Sequence, residues 1–156
     1  MPTASQRLNE LNITLPPVTA PVGAYVPAIR HGDTLLLSGQ IPLQDGKIAY
    51  TGHVGGAGGR TLEDAQAAAR VCTLNAIAVA ANAAGGVDQL AGVLKVVVYV
   101  AANPGFTDIH LVANGASNLL AEVFGESGKH ARAAVGVAEL PLDSTVEVDV
   151  TFKVAD

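Results

Sequence analysis

The run Thr145–Val154 near the C-terminus alternates strictly between polar and apolar side chains. Apolar residues occupy the even positions from Val146 onward, and polar or charged residues, among them Glu147, occupy the odd ones. Because successive side chains of a strand point to opposite faces, this pattern predicts a β-strand with one buried face. The rest of the chain must therefore supply neighbouring strands and an apolar layer over one side of them.

A shorter apolar run, Ala133–Val137, lies upstream and directly follows Arg132. The segment Leu140–Ser144 between the two runs contains Pro and Asp, which favour a turn. If the two runs pair as a hairpin, Arg132 and Glu147 lie close together at one end of it. A fixed cation beside a carboxylate is then either an anion site with a base in reach or an ordinary structural ion pair, and the pattern favours neither.

A long helix is predicted from Leu62 to Ala84, with Thr61 as its N-cap and Gly85 as its stop. Small residues recur along it at steps of three and four, which gives a narrow face that can press closely on a sheet. Cys72 lies on this face and is the single cysteine of the chain. We interpret it as a core residue rather than a nucleophile, and no intrachain disulfide can form.

The remaining elements complete the order of the fold. They are a short N-terminal helix within residues 1–13, a hairpin of Tyr25–Ile29 with Thr34–Ser38, a nearly continuous apolar strand Val93–Val100, and a helix from about residue 106 to Phe124. Two helices on one face of a mostly antiparallel sheet make an α+β sandwich. Because Val93–Val100 has almost no polar side, we expect both of its faces to be covered.

The glycine-rich stretch Gly52–Gly59 precedes Arg60 and a helix, as a phosphate-binding loop would. A P-loop needs Gly, four residues and then Gly-Lys-Ser/Thr, and this spacing fails, as does the dinucleotide pattern GxGxxG. We therefore predict a flexible loop that lines a cleft entrance.

Composition excludes several classes of function. The formal net charge is −5 with no Lys/Arg cluster, which counts against nucleic-acid binding. The N-terminus has no apolar signal core or membrane-spanning run, so we expect a cytoplasmic protein without membrane contact. The four histidines, His31, His53, His110 and His130, are scattered, which predicts no metal site; we interpret each as a solvated surface or loop residue.

Three motifs in the same order resemble the Rid (reactive intermediate deaminase, YjgF) family. They are GAYVPAI around Tyr25, LLLSGQIP around Ser38, and ARAAVGVAELP followed by VEVDV at the C-terminus. The resemblance runs from about Pro21 to the end of the chain. It implies one Rid/YjgF-like domain over residues 1–156, with residues 1–20 as an extension. It also implies a chorismate-mutase-like fold, a homotrimer with sites between subunits, and no cofactor.

The resemblance also assigns roles to individual residues. Arg132 matches the arginine that binds the substrate carboxylate, and Glu147 matches the acid that orients a water molecule. Tyr25 and Ser38 match positions in the ligand pocket. An arginine fork suits a carboxylate, because it can donate two parallel hydrogen bonds.

Some positions depart from the family pattern. Ala134 stands where close relatives usually have cysteine, so only its backbone N–H could serve a ligand. Ser117 falls at the helix position of a family asparagine, with Asn114 and Asn118 nearby. Gly-Ala-Tyr also replaces the usual Gly-Pro-Tyr. These departures leave the substrate more open than the type of reaction.

The function implied is hydrolysis of small 2-imino or enamine acids to 2-keto acids and ammonia. An alternative is a regulatory protein in which the same cleft binds a small carboxylate without turnover. RNA cleavage, an activity after which this family is often labelled "endoribonuclease", is disfavoured by the acidic net charge.

Overall fold

The computed structural model describes all residues from Met1 to Asp156, which form three helices and seven strands. The helices are α1 (Ala4–Glu10), α2 (Leu62–Ala84) and α3 (Ile109–Phe124). The strands are β1 (Ala28–His31), β2 (Thr34–Leu37), β3 (Leu43–Gln44), β4 (Lys47–Ile48), β5 (Leu90–Ala101), β6 (Ala131–Val137) and β7 (Val146–Val154). The limits predicted for α2 are confirmed, whereas the first hairpin strand begins at Ala28 rather than Tyr25.

Five strands form the main sheet in the order β1-β2-β7-β5-β6, and β3 pairs with β4 in a separate ribbon. All pairings in the main sheet are antiparallel except that of β5 with β6. Helices α2 and α3 pack against each other and against one face of this sheet. The predicted α+β sandwich with a mostly antiparallel sheet is therefore confirmed.

The predicted hairpin of the two C-terminal runs is wrong. Strand β6 pairs in parallel with β5, and β7 pairs antiparallel with the other edge of β5 and with β2. The physical reason is that α3 carries the chain back over the sheet after β5, and such a crossover sets the next strand parallel. The turn after β6 then delivers β7 to the far side of β5.

The register assigns each side chain of the central strands to a face. Val96, Val98 and Val100 of β5 lie opposite the even residues of β7 and are fully buried beneath the helices. We call this the helix face. Tyr99 lies opposite Glu147 on the other face, where side chains of β5 and β7 are half-buried or exposed. We call this the open face; the expectation that both faces of β5 are covered is not met within one chain.

Helix α2 supplies the small-residue face that the sequence predicts. The Thr61 hydroxyl accepts the Asp64 N–H at its start, and Gly85 ends it in the left-handed region. Cys72 is fully buried, and burial raises the pKa of its thiol well above the ordinary value, so it is not a nucleophile. By length and composition alone α2 could cross a bilayer, although half of its most apolar window is buried in this fold.

The glycine-rich stretch Gly52–Gly59 is anchored, in contrast to the flexible loop expected. Val54 is fully buried and bridges to Ala102, and the Asn103 side chain donates to the Gly55 carbonyl at 2.7 Å. The loop lines a polar cavity of about 420 Å³ together with Arg60. Its glycines thus fit a hydrogen-bonded loop with positive φ at several positions.

Candidate functional site

Arg132 lies at the start of the edge strand β6 and points to the helix face, where α3 holds it. Its Nη1 donates to Asn114 Oδ1 at 2.8 Å and to Ser117 Oγ at 3.1 Å, and its Nη2 donates to the His110 carbonyl at 3.3 Å. All three acceptors are neutral. We call Arg132, Asn114 and Ser117 the arginine half.

The guanidinium of Arg132 has unused binding capacity. It carries five N–H donors, and three are used by the protein. One donor on Nε and one on Nη2 remain, which is the number that a bidentate carboxylate accepts. No acidic side chain forms an ion pair with Arg132. The arrangement is therefore a fixed, uncompensated cation suited to an anionic ligand.

Glu147 lies on the open face, in a cavity of about 260 Å³ lined also by Gly39, Tyr99 and Asp149. We call these four residues the glutamate half. Burial, and secondarily the charge of Asp149, raises the pKa of Glu147. No Lys or Arg forms an ion pair with either carboxylate. A carboxyl group with a raised pKa can exchange protons more readily near neutral pH.

A Cβ at Gly39 would lie 2.5 Å from Glu147 Oε1, so any larger residue at this position would displace the Glu147 carboxylate. The Gly39 N–H donates to no group of the chain. Next to it, the Ser38 hydroxyl donates to the Val26 carbonyl at 2.6 Å and so holds the segment that carries Tyr25. Tyr25 itself is 56% exposed. Ser38 and Tyr25 therefore belong to the same side of the molecule as the glutamate half.

Ala134 and Ser117 lie with Arg132. Ala134 is on the helix face of β6, two residues after Arg132, and its methyl group packs against the core. Ser117 on α3 contacts both Arg132 and His130. The position that the sequence left ambiguous is thus filled by two residues, since Asn114 also bonds the guanidinium.

One chain does not bring Arg132 and Glu147 together. The register places Arg132 opposite Val96 on the helix face, and Glu147 opposite Tyr99 on the open face. Strand β5 also separates their two strands. The expectation of an adjacent pair is therefore wrong for a single chain, because it followed from the hairpin that does not form. The two halves cannot bind one ligand unless they come from different copies.

Two histidines differ from the expectation of solvated residues. His53 Nε2 lies 2.7 Å from the Ala138 carbonyl and 3.4 Å from Glu139 Oε2. The side chains of His53, Glu139 and Asp143 lie close enough together to bind one metal ion. A carbonyl can only accept, so this nitrogen carries a proton and has no lone pair for a metal. We interpret His53 as an anchor of the glycine-rich loop. His130 is half-buried and bonded on both ring nitrogens.

Comparison with known proteins gives close relatives over almost the whole chain. Protein TCP17 of Trypanosoma cruzi is 44% identical over 143 residues, which are 91% of this chain and 88% of that protein. A crystal structure of a protein of unknown function from Agrobacterium tumefaciens is 44% identical, covers 97% of this chain and 92% of that one, and superposes with a TM-score of 0.86. A structure described as a "putative endoribonuclease" from Shewanella oneidensis is 32% identical, covers 98% of this chain and 100% of that one, and superposes with a TM-score of 0.92.

The YjgF gene product of E. coli has the same fold; it is 25% identical, covers 87% of this chain and 92% of that one, and superposes with a TM-score of 0.62. The fold is therefore chorismate-mutase-like, as the sequence motifs imply. A family model described as "YjgF/chorismate mutase-like, putative endoribonuclease" matches residues 5–153. On this evidence the chain belongs to the YjgF/chorismate mutase-like family.

Proposed function

We propose that this protein hydrolyses small 2-imino or enamine acids to 2-keto acids and ammonia, without a cofactor. The observation that carries the proposal is Arg132, a guanidinium held by neutral oxygens with two donors free and no acid beside it. Such a group binds a carboxylate with two charge-assisted hydrogen bonds. In the proposed 2-imino acid substrates, this carboxylate is attached to the carbon of the C=N bond.

The glutamate half supports the chemical step. Water adds to the carbon of the C=N bond, and Glu147 accepts a proton from that water. The protonated carboxyl group then returns that proton to the nitrogen, which gives a carbinolamine. Glu147 next moves the proton of the new hydroxyl group to the nitrogen as the C–N bond breaks, so that a keto acid and ammonia leave. Because its pKa is raised, Glu147 suits both proton transfers. The imine carbon is already electrophilic, so no metal or nucleophilic side chain is needed.

Arg132 and Glu147 lie on opposite faces of one sheet, so the proposal requires the arginine half of one copy to meet the glutamate half of another. The charges of the two halves are complementary. The open face also exposes apolar side chains that a second copy could cover, including Ile29 at 58% and Val135 at 42% exposure. We propose a closed homo-oligomer, a trimer in keeping with the family resemblance.

The assembly can be tested by light scattering on wild type and on Val135→Asp. The substitution places a charge on the open face beside Tyr99, so we expect a lower molar mass and a matching loss of deaminase activity. Leu142→Asp is the matched control, because Leu142 is 72% exposed in the turn between β6 and β7. A monomeric wild type with full activity would exclude sites built from two copies.

The reaction itself is tested by generating 2-aminoacrylate in situ and measuring release of ammonia and pyruvate. We expect Arg132→Ala and Glu147→Gln to lose most activity. Arg70→Ala, which removes an exposed arginine that pairs with Glu122, should retain it. Equal rates for wild type and Arg132→Ala would remove Arg132 from the mechanism. Binding of 2-oxobutanoate without any turnover would instead support a regulatory carboxylate-binding protein.

The family description also names endoribonuclease activity. RNA binding commonly depends on several cations that neutralise phosphates, but this chain carries a net charge of −5 and no basic cluster. We therefore expect no strongly salt-dependent RNA affinity. Cleavage of single-stranded RNA by wild type, lost in Arg132→Ala, would redirect the assignment toward a nuclease.

A further inference from the structure

His130 and Ser117 form a hydrogen-bonded chain that ends on Arg132. His130 Nδ1 lies 2.6 Å from the Gly128 carbonyl, and His130 Nε2 lies 2.9 Å from Ser117 Oγ. The same hydroxyl oxygen lies 3.1 Å from Arg132 Nη1. The histidine precedes β6 and the serine lies on α3, so the chain joins the two elements that hold the guanidinium.

The chemistry of these groups fixes the direction of every bond when the imidazole is neutral. The Gly128 carbonyl can only accept, so Nδ1 carries the proton and Nε2 keeps a lone pair. Ser117 must then donate its hydroxyl proton to Nε2. Its oxygen lone pairs are left to face Arg132, whose N–H groups can only donate. The bond at Nδ1 thus leaves Nε2 as an acceptor for Ser117, and the bond at Nε2 leaves the Ser117 oxygen as an acceptor for Arg132.

We infer that His130 is a positioning residue that acts through Ser117 to aim the two free N–H donors of Arg132 at a ligand carboxylate. This inference rests on the proposed function, because it assumes a carboxylate at Arg132. Without an acceptor at Nε2, the Ser117 hydroxyl can rotate, and its oxygen lone pairs are no longer held toward Arg132 Nη1. The guanidinium would then lose one of its three fixed contacts.

The expected effect is partial, because Asn114 and the His110 carbonyl still hold Arg132. We expect His130→Leu to weaken binding of 2-oxobutanoate by about three- to tenfold, the change that corresponds to losing one net hydrogen bond. His130→Gln should bind nearly as wild type, since its Oε1 can accept from Ser117 at the position of Nε2. If His130 were only structural, its replacement by Gln and by Leu would not be expected to differ in their effect on 2-oxobutanoate affinity in this way.

The experiment is calorimetric titration of the full-length protein with 2-oxobutanoate. Wild type, His130→Leu, His130→Gln, Ser117→Ala and the double variant His130→Leu/Ser117→Ala are compared. Because the two residues act in one chain, the double variant should lose no more affinity than the larger single loss. Losses that add, or a His130→Leu affinity equal to that of wild type, would overturn the inference.

Two further measurements cover a variant that fails to fold and a failure of the proposed reaction. The ¹⁵N spectrum of wild type, recorded at a pH where the His130 imidazole is neutral, should show its proton on Nδ1; a neutral ring with the proton on Nε2 would contradict the chain of bonds. If affinity changes as expected but no ammonia is released, the proposed reaction fails and the positioning role stands. If wild type does not bind 2-oxobutanoate, the carboxylate site and the positioning role both fall.

Discussion

Mixing two inactive variants should restore activity, because the structure separates Arg132 from Glu147. Arg132→Ala keeps an intact glutamate half, and Glu147→Gln keeps an intact arginine half. In a closed assembly, a site that takes Arg132 from one copy and Glu147 from its neighbour is complete wherever the two variants meet in the right order. Neither variant alone contains a complete site.

The magnitude follows from the geometry. If the two variants are mixed equally and assemble at random, half of the arginine halves and half of the glutamate halves are intact. About a quarter of the sites then carry both, so activity per chain should reach about a quarter of the wild-type value. If each chain contained its own site, every site would carry one defect, and mixing would add nothing to the activity of the separate variants.

The assay is co-expression of the two variants with different affinity tags, purification over both tags, and release of ammonia from 2-aminoacrylate. Purification over both tags keeps only mixed assemblies; every mixed trimer has one complete site in three, so this sample should reach about a third of the wild-type activity per chain. A control sample contains the same variants, purified separately and combined without reassembly. Activity of the co-expressed sample no higher than that of this control would refute the reasoning from opposite faces. It would do so even if the protein proved to be a deaminase.

Substitutions at four positions, one of them a control, test the structure residue by residue. Gly39→Ala should lower activity at least tenfold by displacing the Glu147 carboxylate, while Gly32→Ala, where φ is +60°, should cost about 1 kcal/mol of stability and leave activity unchanged. Burial raises the pKa of Glu147 above its unfolded value, so the folded chain binds the extra proton and stability falls as pH rises through that interval. Glu147→Gln should therefore be more stable than wild type at neutral pH. Its free energy of unfolding, measured with urea, should also change less with pH. Gly115→Ala should destabilise by more than about 1 kcal/mol despite better helix propensity, because its Cβ would meet the Gln66 carbonyl; a thermal melt equal to wild type would contradict that contact.

The sequence predicted elements well where local signals were strong. Thr61 and Gly85 mark the ends of α2, and the alternation of Val146–Val154 marks β7 and its buried face. The pairing of the strands was not predictable in the same way. A turn at Leu140–Ser144 is compatible with a hairpin, but Leu142 and Asp143 both adopt positive φ there, and the chain passes on to the other side of β5.

In the candidate site, too, the sequence identified individual residues but not how they are arranged in space. The motifs identified Arg132 and Glu147 by type and order, but only register shows that they face opposite sides of the sheet. His130 gave no signal, because a histidine before a strand has no distinctive spacing. Its contact with Ser117 depends on how α3 packs beside β6, which neither periodicity nor composition reports.

The geometry excludes one form of the structural ion pair that the sequence left open, a contact between Arg132 and Glu147 of the same chain. A structural ion pair requires contact, and these side chains lie on opposite faces. The chain does form surface ion pairs elsewhere, for example between Arg70 and Glu122 at 3.2 Å. Leaving a guanidinium without an acid, and a half-buried carboxylate without a cation, sacrifices stability that pairing could supply. Uncompensated groups of this kind cluster where a ligand or a partner supplies the missing charge.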